Sequence, residues 1–283
     1  MPGSSEPIPD PDVRVRVCSA QLASNWEDPE KTLDRAEDFI AHAATCGAQI
    51  ICFPEQFATG WDPLSGQNVQ ALNGSIITRL QASARTNRIA VIGSLREAAS
   101  MYPKNTAVAI GNNGRVLSTY SKIHLFSPAK EDEHFTMGTD LGIFPLCFLT
   151  CGLAICYDLR FPSLFRIYAQ KGVQTVFLPA AWPASRIRHW ELFIQARAAE
   201  NQMYVIGVNT TGATPVDRYS GSSIAADPHG TIISRANEAE QLLFIELDPA
   251  EVTAARSALP VEHDRKDALY HTLLKKKRAD HMI

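Results

Sequence analysis

Apolar and polar residues alternate at the start of the recognisable pattern. Val13-Arg14-Val15-Arg16-Val17 has the two-residue period of a strand. Asp28-Pro29 then marks a helix start, since Asp caps and Pro fits the first helical position. That helix is predicted to reach about Cys46, with Gly47 as its left-handed stop. Residues 49–53 form a short apolar strand ended by Pro54. Ile76, Ile77, Leu80 and Ala84 share one face of a helix over 75–87, and a strand follows over 89–95. Strands over 105–110 and 116–120 flank the turn Gly111-Asn112-Asn113-Gly114. A second strand pair is predicted over 142–148 and 152–156, and a helix runs from Pro162 to a stop at Gly172. Further strands are predicted over 174–178, 204–209, 222–226, 231–234 and 242–247, with helices over 186–201 and 249–256.

Strands alternate with helices in both halves, yet several neighbouring strands are joined by tight turns. A purely parallel, doubly wound sheet would not contain so many hairpins. The pattern fits two mixed sheets with helices outside. No linker, repeat or low-complexity stretch divides residues 13–270, which read as one domain. Residues 1–12 carry four prolines and read as an extended arm, and residues 271–283 as a tail.

Composition narrows the function. The 283 residues hold 27 Lys+Arg against 30 Asp+Glu, a net charge of −3, which gives no electrostatic reason to expect a nucleic-acid partner. No apolar run approaches the roughly 18 residues of a membrane span. The start MPGSSEPIPDPD has neither the basic nor the apolar part of a signal peptide, so a cytosolic protein with reduced cysteines is expected. The six cysteines show no C-x-x-C pair and no clustered Cys/His set, so no metal is expected, and at most one should carry chemistry.

Three segments place polar residues at the ends of apolar strands: Phe53-Pro54-Glu55-Gln56, Tyr120-Ser121-Lys122-Ile123-His124 and Ile155-Cys156-Tyr157-Asp158-Leu159-Arg160-Phe161-Pro162. Strand ends are where α/β folds carry functional groups. Glu, Lys and Cys together make a chemically sensible set. A thiol attacks as thiolate, a carboxylate takes its proton and later activates water, and an ammonium steadies the oxyanion. Such a set suits acyl transfer from a carbon–nitrogen bond. Taken singly, Glu55 reads as a loop residue, Lys122 as a surface charge, Cys156 as a buried thiol and His124 as a structural hydrogen-bonding residue. Asp158 and Arg160 read as an ion pair fixing the turn after Cys156, in preference to the alternative that they are substrate ligands.

In this order the three segments resemble the signature of the nitrilase superfamily of carbon–nitrogen hydrolases. Their key residues lie 67 positions apart (55 to 122) and 34 apart (122 to 156), similar to that family's spacing. Residues 131–138 (EDEHFTMG), 190–202 (WELFIQARAAENQ), 219–222 with Asp227-Pro228, and 256–270 also match, so the resemblance spans about 14–270. The run CYDLRFP points to the ω-amidase and Nit-like branch. The resemblance implies an α-β-β-α sandwich, Glu55 as general base, Lys122 as oxyanion stabiliser and Cys156 as nucleophile, with no cofactor. It implies the Tyr157 backbone N–H as a second oxyanion donor and Trp182 as a pocket wall. It also implies a second glutamate at Glu131, although an acidic run such as Glu131-Asp132-Glu133 on its own reads as a solvated loop. Arg186, Arg188 and His189 follow Trp182 and are candidates for a substrate carboxylate, or a solvated helix face.

The reading is therefore an amidase that releases ammonia from ω-amides of small dicarboxylic acids, such as α-ketoglutaramate, through a thioester and water. An N-carbamoyl amino-acid amidohydrolase or a nitrilase would use the same three residues. A catalytically silent binding module would be expected to have lost one of them. A papain-like protease does not fit, because Cys156 is mid-chain. The resemblance also implies at least a homodimer, with the helix after the nucleophile and the chain end at the subunit interface. Here that helix carries Leu164, Phe165, Ile167 and Tyr168, more apolar surface than a single core face needs, the alternative being a helix buried all round within one chain.

Overall fold

Strands with apolar residues on both faces need cover on both sides, and the protein supplies it in four layers. The computed structural model describes residues 14–279; the expected arm over 1–12 lies outside them. The chain runs β1 (Val15–Gln21), α1 (Pro29–Thr45), β2 (Ile50–Cys52), α2 (Ser75–Asn87), β3 (Ala90–Glu97), β4 (Lys104–Ile110), β5 (Val116–Ser121) and the one-turn helix α3 (Glu131–His134). It continues with β6 (Gly142–Leu146), β7 (Leu149–Leu153), α4 (Pro162–Gln170), β8 (Thr175–Ala180), α5 (Ile187–Asn201), β9 (Tyr204–Asn209), β10 (Thr211–Ala213) and β11 (Arg218–Ser220). The last elements are β12 (Ile224–Ala226), β13 (Ile232–Arg235), β14 (Gln241–Leu247), α6 (Pro249–Ala258), α7 (Val261–Asp264) and α8 (Asp267–Ala279).

One six-stranded sheet has the order β14-β1-β2-β3-β4-β5, the other β13-β12-β9-β8-β7-β6. In each, three parallel strands (β1, β2, β3 and β7, β8, β9) form the centre and antiparallel strands the flanks. Strand parity decides what each side chain touches. Val15, Val17, Ile50, Cys52, Ala90, Ile92, Ala107 and Ala109 face the second sheet. Their neighbours Cys18, Ile51, Phe53, Val91, Val108 and Ile110 pack under α1 and α2. On the far side, Leu164, Phe165 and Tyr168 of α4 and Trp190, Ile194 and Ala198 of α5 cover the second sheet. The expected sandwich, mixed sheets inside and helices outside, is what the chain builds.

The helix signals act as predicted. The Asp28 side chain accepts from the Lys31 amide, and Gly47 takes φ +82°. Three expectations need correction. The strand pair predicted over 142–148 and 152–156 is β6 and β7, joined by a two-residue turn in which Cys147 (φ 49°) and Phe148 (φ 64°) are both left-handed. A primed hairpin turn needs this conformation, usually with Gly or Asn, and neither residue signals it. Cys156 consequently lies beyond the strand, at the start of a 3₁₀ turn over Cys156–Arg160. The surplus apolar surface on α4 is also mostly internal: Leu164, Phe165 and Tyr168 are buried and Ile167 alone of the four is exposed. The α8 helix runs through positions 270 and 271, where the tail was expected to begin.

Candidate active site

Central strand β2 ends at Cys52, and Glu55 follows it, just beyond the strand's C-terminal end, with 1% exposure. The loop beyond Glu55 is held by Arg96 of β3, which is itself buried. Its guanidinium donates to Gln56 Oε1 (2.9 Å), the Gly60 carbonyl (2.8 Å) and the Glu27 carboxylate (2.8 Å). That clamp fixes Trp61, whose Nε1 donates to Glu131 Oε1 at 3.3 Å.

Lys122 extends β5 by one more backbone bond, its N–H donating to the Asn105 carbonyl. Gly138 lies against the same strand end and donates to the Lys122 carbonyl; a Cβ at Gly138 would sit 2.0 Å from the Ser121 oxygen, so a side chain is sterically barred. Lys122 Nζ donates to Glu55 Oε1 at 2.8 Å and to Glu131 at 2.9 Å (Oε2) and 3.2 Å (Oε1). Asn105 Nδ2 donates to both carboxylates, at 2.7 Å to Glu55 and 3.1 Å to Glu131. Glu131 Oε2 also accepts from the Phe126 amide at 2.7 Å, and Glu55 Oε2 from the Ala181 amide at 3.0 Å. Every buried carboxylate oxygen thus has donors, the condition for keeping such groups inside a protein.

The electrostatics follow from this packing. Burial pushes the Glu55 pKa up, the Lys122 ammonium opposes the rise, and the Glu131 charge adds to it; the balance is a raised value. Burial works against the Lys122 charge, but Glu131 and Glu55 outweigh it and hold the lysine above its ordinary value. The Cys156 thiol is pushed well up, by burial first and the Glu55 charge second, with Lys122 opposing. Beside the sulfur, the Glu55 charge thus disfavours a resting thiolate and the Lys122 ammonium favours one.

Cys156 sits at φ 42°, a left-handed conformation that costs a non-glycine residue about 1–3 kcal/mol. The surrounding bonds enforce it. Asp158 accepts from the Ile155 amide (2.9 Å), Tyr120 Oη (2.8 Å) and the His124 amide (3.0 Å), and pairs with His124 Nδ1 at 2.8 Å. Arg197 of α5 donates to the Leu159 carbonyl. The turn bearing the thiol is thereby tied to the strand end bearing Lys122. His124 has the structural role read for it. Asp158 and Arg160, expected to pair, do not: Asp158 faces inward to those donors, and the Arg160 guanidinium lies over the rings of Trp182 (4.8 Å), Phe193 and Tyr157. The donors on Tyr120 and His124 are not visible in the CYDLR run itself.

A narrow pocket of about 40 Å³ opens onto the thiol. Lys122, Cys156, Tyr157, Trp182 and Arg186 line it, together with Trp61, Phe126, Arg160, Asp217 and Tyr219. Trp182 is set by Asn209, whose side chain accepts from the Trp182 amide and donates to its carbonyl. Of the candidates following Trp182, Arg186 reaches the pocket. Arg188 and His189 stay on the exposed face of the α5 N-terminus, where His189 Nδ1 meets Arg160 at 3.4 Å. Among the described residues no three His, Cys, Asp or Glu side chains are arranged to hold a metal ion.

The family model described as carbon-nitrogen hydrolase matches residues 16–257, most of the chain. The chain belongs to the carbon-nitrogen hydrolase family. This carbon-nitrogen hydrolase is 29% identical over 258 residues to a Bacillus subtilis protein called 2-oxoglutaramate amidase, covering 90% of this chain and 98% of the relative. It is 30% identical over 279 residues to human omega-amidase NIT2, covering 93% and 98%. Among solved structures it is similar to an amidase from Nesterenkonia sp., with a TM-score of 0.83, 26% identity, and coverage of 95% of this chain and 100% of that one. A variant of that amidase carries the acetamide moiety of fluoroacetamide at its active-site cysteine (TM-score 0.83, 26% identity, coverage 95% and 99%).

Several members of this hydrolase's site escaped sequence reasoning. Asn105, Trp61, Phe126 and Tyr219 come from strands and loops away from the three segments. Asn105 left no clear signal, because it stands between two other polar residues, Lys104 and Thr106, at the start of β4. Of the aromatic wall, Trp182 was expected and Tyr219 begins the matching segment 219–222, whereas Trp61 and Phe126 left no signal.

Proposed function

We propose that the protein hydrolyses the ω-amide of small dicarboxylic acids, with Glu55 as general base, Cys156 as nucleophile, and Lys122 and the Tyr157 amide as oxyanion donors. The observation that carries the substrate reading is the pocket's lining. Two guanidinium groups, Arg160 and Arg186, share a narrow pocket with the thiol, so an acid group can be held at one end while a carboxamide meets sulfur at the other. The names of the Bacillus and human relatives support the same class.

Cys156 Sγ attacks the amide carbon as its proton passes to Glu55. The carbonyl oxygen, now negative, meets Lys122 Nζ and the Tyr157 N–H, which lies in the first turn after Cys156 where amides lack helical acceptors. One ammonium proton of Lys122 goes to Glu55 and one is shared between the Glu131 oxygens, leaving a third for the oxyanion. The C–N bond breaks, Glu55 returns its proton to the departing nitrogen, and ammonia leaves a thioester. Water then attacks the thioester carbon while Glu55 takes its proton. The C–S bond breaks and Glu55 reprotonates the thiol.

A panel of ω-acid amides, an N-carbamoyl amino acid and a nitrile tests the assignment by kcat/KM for ammonia release. The acid amides are expected to lead, and a lead for the nitrile or carbamoyl compound would overturn the assignment. The pH profile gives a second check. Protonated Glu55 cannot accept the thiol proton, so kcat/KM falls as pH drops through its ionisation. Because burial raises that ionisation, the acid limb should lie above 4.5, the ordinary glutamate value.

A homodimer and a cytosolic setting belong to the same proposal. Support for the dimer comes from Ile167 on α4 and from Leu269, Tyr270, Leu273 and Leu274 on α8, all exposed apolar side chains. Light scattering should give a mass above the 31.1 kDa of one chain at micromolar concentration, and a 31.1 kDa species alone would reject the dimer. The cytosolic setting rests on the chemistry, since a reducing compartment keeps a nucleophilic cysteine as a thiol.

A further inference from the structure

One polar group in the pocket has no part in the steps above. Tyr219 belongs to β11, in the small hairpin with β10, and its ring packs with Trp61 and Ala181 at 5% exposure. Its hydroxyl is buried and has no hydrogen-bond partner. Thr214 stands close enough to influence it, but the Thr214 hydroxyl already donates to the Asp217 carbonyl and accepts from the Val216 and Asp217 amides. Tyr219 lines the same pocket as Lys122, Cys156, Arg160 and Arg186, and burial, with the Glu55 and Asp217 carboxylates adding to it, pushes the phenol pKa up and keeps the hydroxyl a donor. A buried donor left open inside a binding pocket points to a partner that arrives with the ligand.

The reacting amide is already served, its oxygen by Lys122 and Tyr157 and its nitrogen by Glu55. The far carboxylate has Arg160 and Arg186. What an ω-amide of a dicarboxylic acid can still offer is an oxygen on the carbon chain between the two ends. We propose that Tyr219 is a specificity-determining residue whose hydroxyl donates a hydrogen bond to an oxygen on the carbon next to the substrate carboxylate. The inference rests on the ω-amide reading and narrows it to 2-oxo or 2-hydroxy ω-amides over their deoxy counterparts. A pocket built around a hydrogen bond discriminates against the analogue lacking it, because the protein's own group is then left unpaired.

The test compares 2-oxoglutaramate with glutaramate, which differ at that oxygen, in wild type and Tyr219→Phe. Wild type should favour the 2-oxo compound by about tenfold or more in kcat/KM. In Tyr219→Phe that preference should shrink by about the same factor. Phe keeps the ring against Trp61 and Ala181 and removes an oxygen that holds no protein partner, so the variant is expected to fold. An unchanged ratio of the two kcat/KM values in the variant would overturn the inference, leaving Tyr219 a pocket wall. So would a wild type that treats both amides alike, whatever the variant does. Failure of the ω-amide reading looks different: wild type would release ammonia from neither acid amide.

Discussion

Cys156→Ala should abolish turnover while the melting temperature moves by no more than about 2–4 °C, the shift expected for about 1 kcal/mol in a chain this size. The substitution removes one sulfur atom from the floor of an open pocket, and alanine meets the same φ of 42° that cysteine already tolerates. No other thiol can take over. Cys18, Cys52 and Cys151 are buried in the two cores, and Cys46 and Cys147 are not among the pocket's residues. Intact-mass and peptide analysis with a slow amide should therefore find acyl adduct on Cys156 and on none of the other five. Residual activity above a few per cent would reject the mechanism.

Glu131→Gln should lower kcat by at least about a hundredfold, the usual cost of losing a preorganised electrostatic partner. Trp61 Nε1, Asn105 Nδ2, Lys122 Nζ and the Phe126 amide all donate to the carboxylate. An amide NH₂ in its place turns a donor towards donors, whichever way it is rotated. Glu133, two positions on, is exposed and pairs with Lys130 at 3.7 Å, so Glu133→Gln should change kcat less than about threefold. The pH profile separates an electrostatic role from a packing role. The Glu131 charge helps raise the Glu55 pKa, so the acid limb of kcat/KM should move to lower pH in Glu131→Gln. Equal behaviour of the two variants, or an unmoved limb, would show that Glu131 does not act on Glu55 and Lys122.

Local chemistry was legible in the sequence wherever a single residue type decides the conformation. Asp28-Pro29 and Gly47 bounded α1, and Pro162 and Gly172 bounded α4 and its stop. The primed turn at Cys147-Phe148 was not legible, because its conformation is imposed by the pairing of β6 with β7 and not by its own residues. The four groups at the centre, Glu55, Lys122, Glu131 and Cys156, were reached through motif resemblance, and the structure brings them together. Arg160 was placed wrongly for a physical reason: sequence proximity to Asp158 suggested a partner, whereas Tyr120 and His124, some 35 residues earlier, fill Asp158's acceptor sites. Arg186 could not be told from Arg188 by composition. Only the start of α5 decides which one turns into the pocket.

The antiparallel pairing of β1 with β14 ties the first described strand to one that ends at residue 247, in register from Val15 with Leu247 to Gln21 with Gln241. During synthesis the N-terminal sheet therefore waits, with one flank of β1 open, until residues 241–247 have left the ribosome. Its backbone groups there have no partner within the first half, and an open strand edge invites pairing with other chains. Glu55 and Lys122 belong to that waiting sheet, and Cys156 to the other. If the proposed roles of Glu55, Lys122 and Cys156 hold, catalytic competence is expected only after the strand at 241–247 has closed that edge. Truncation upstream of it would leave the reacting residues encoded but the sheet that aligns them unfinished.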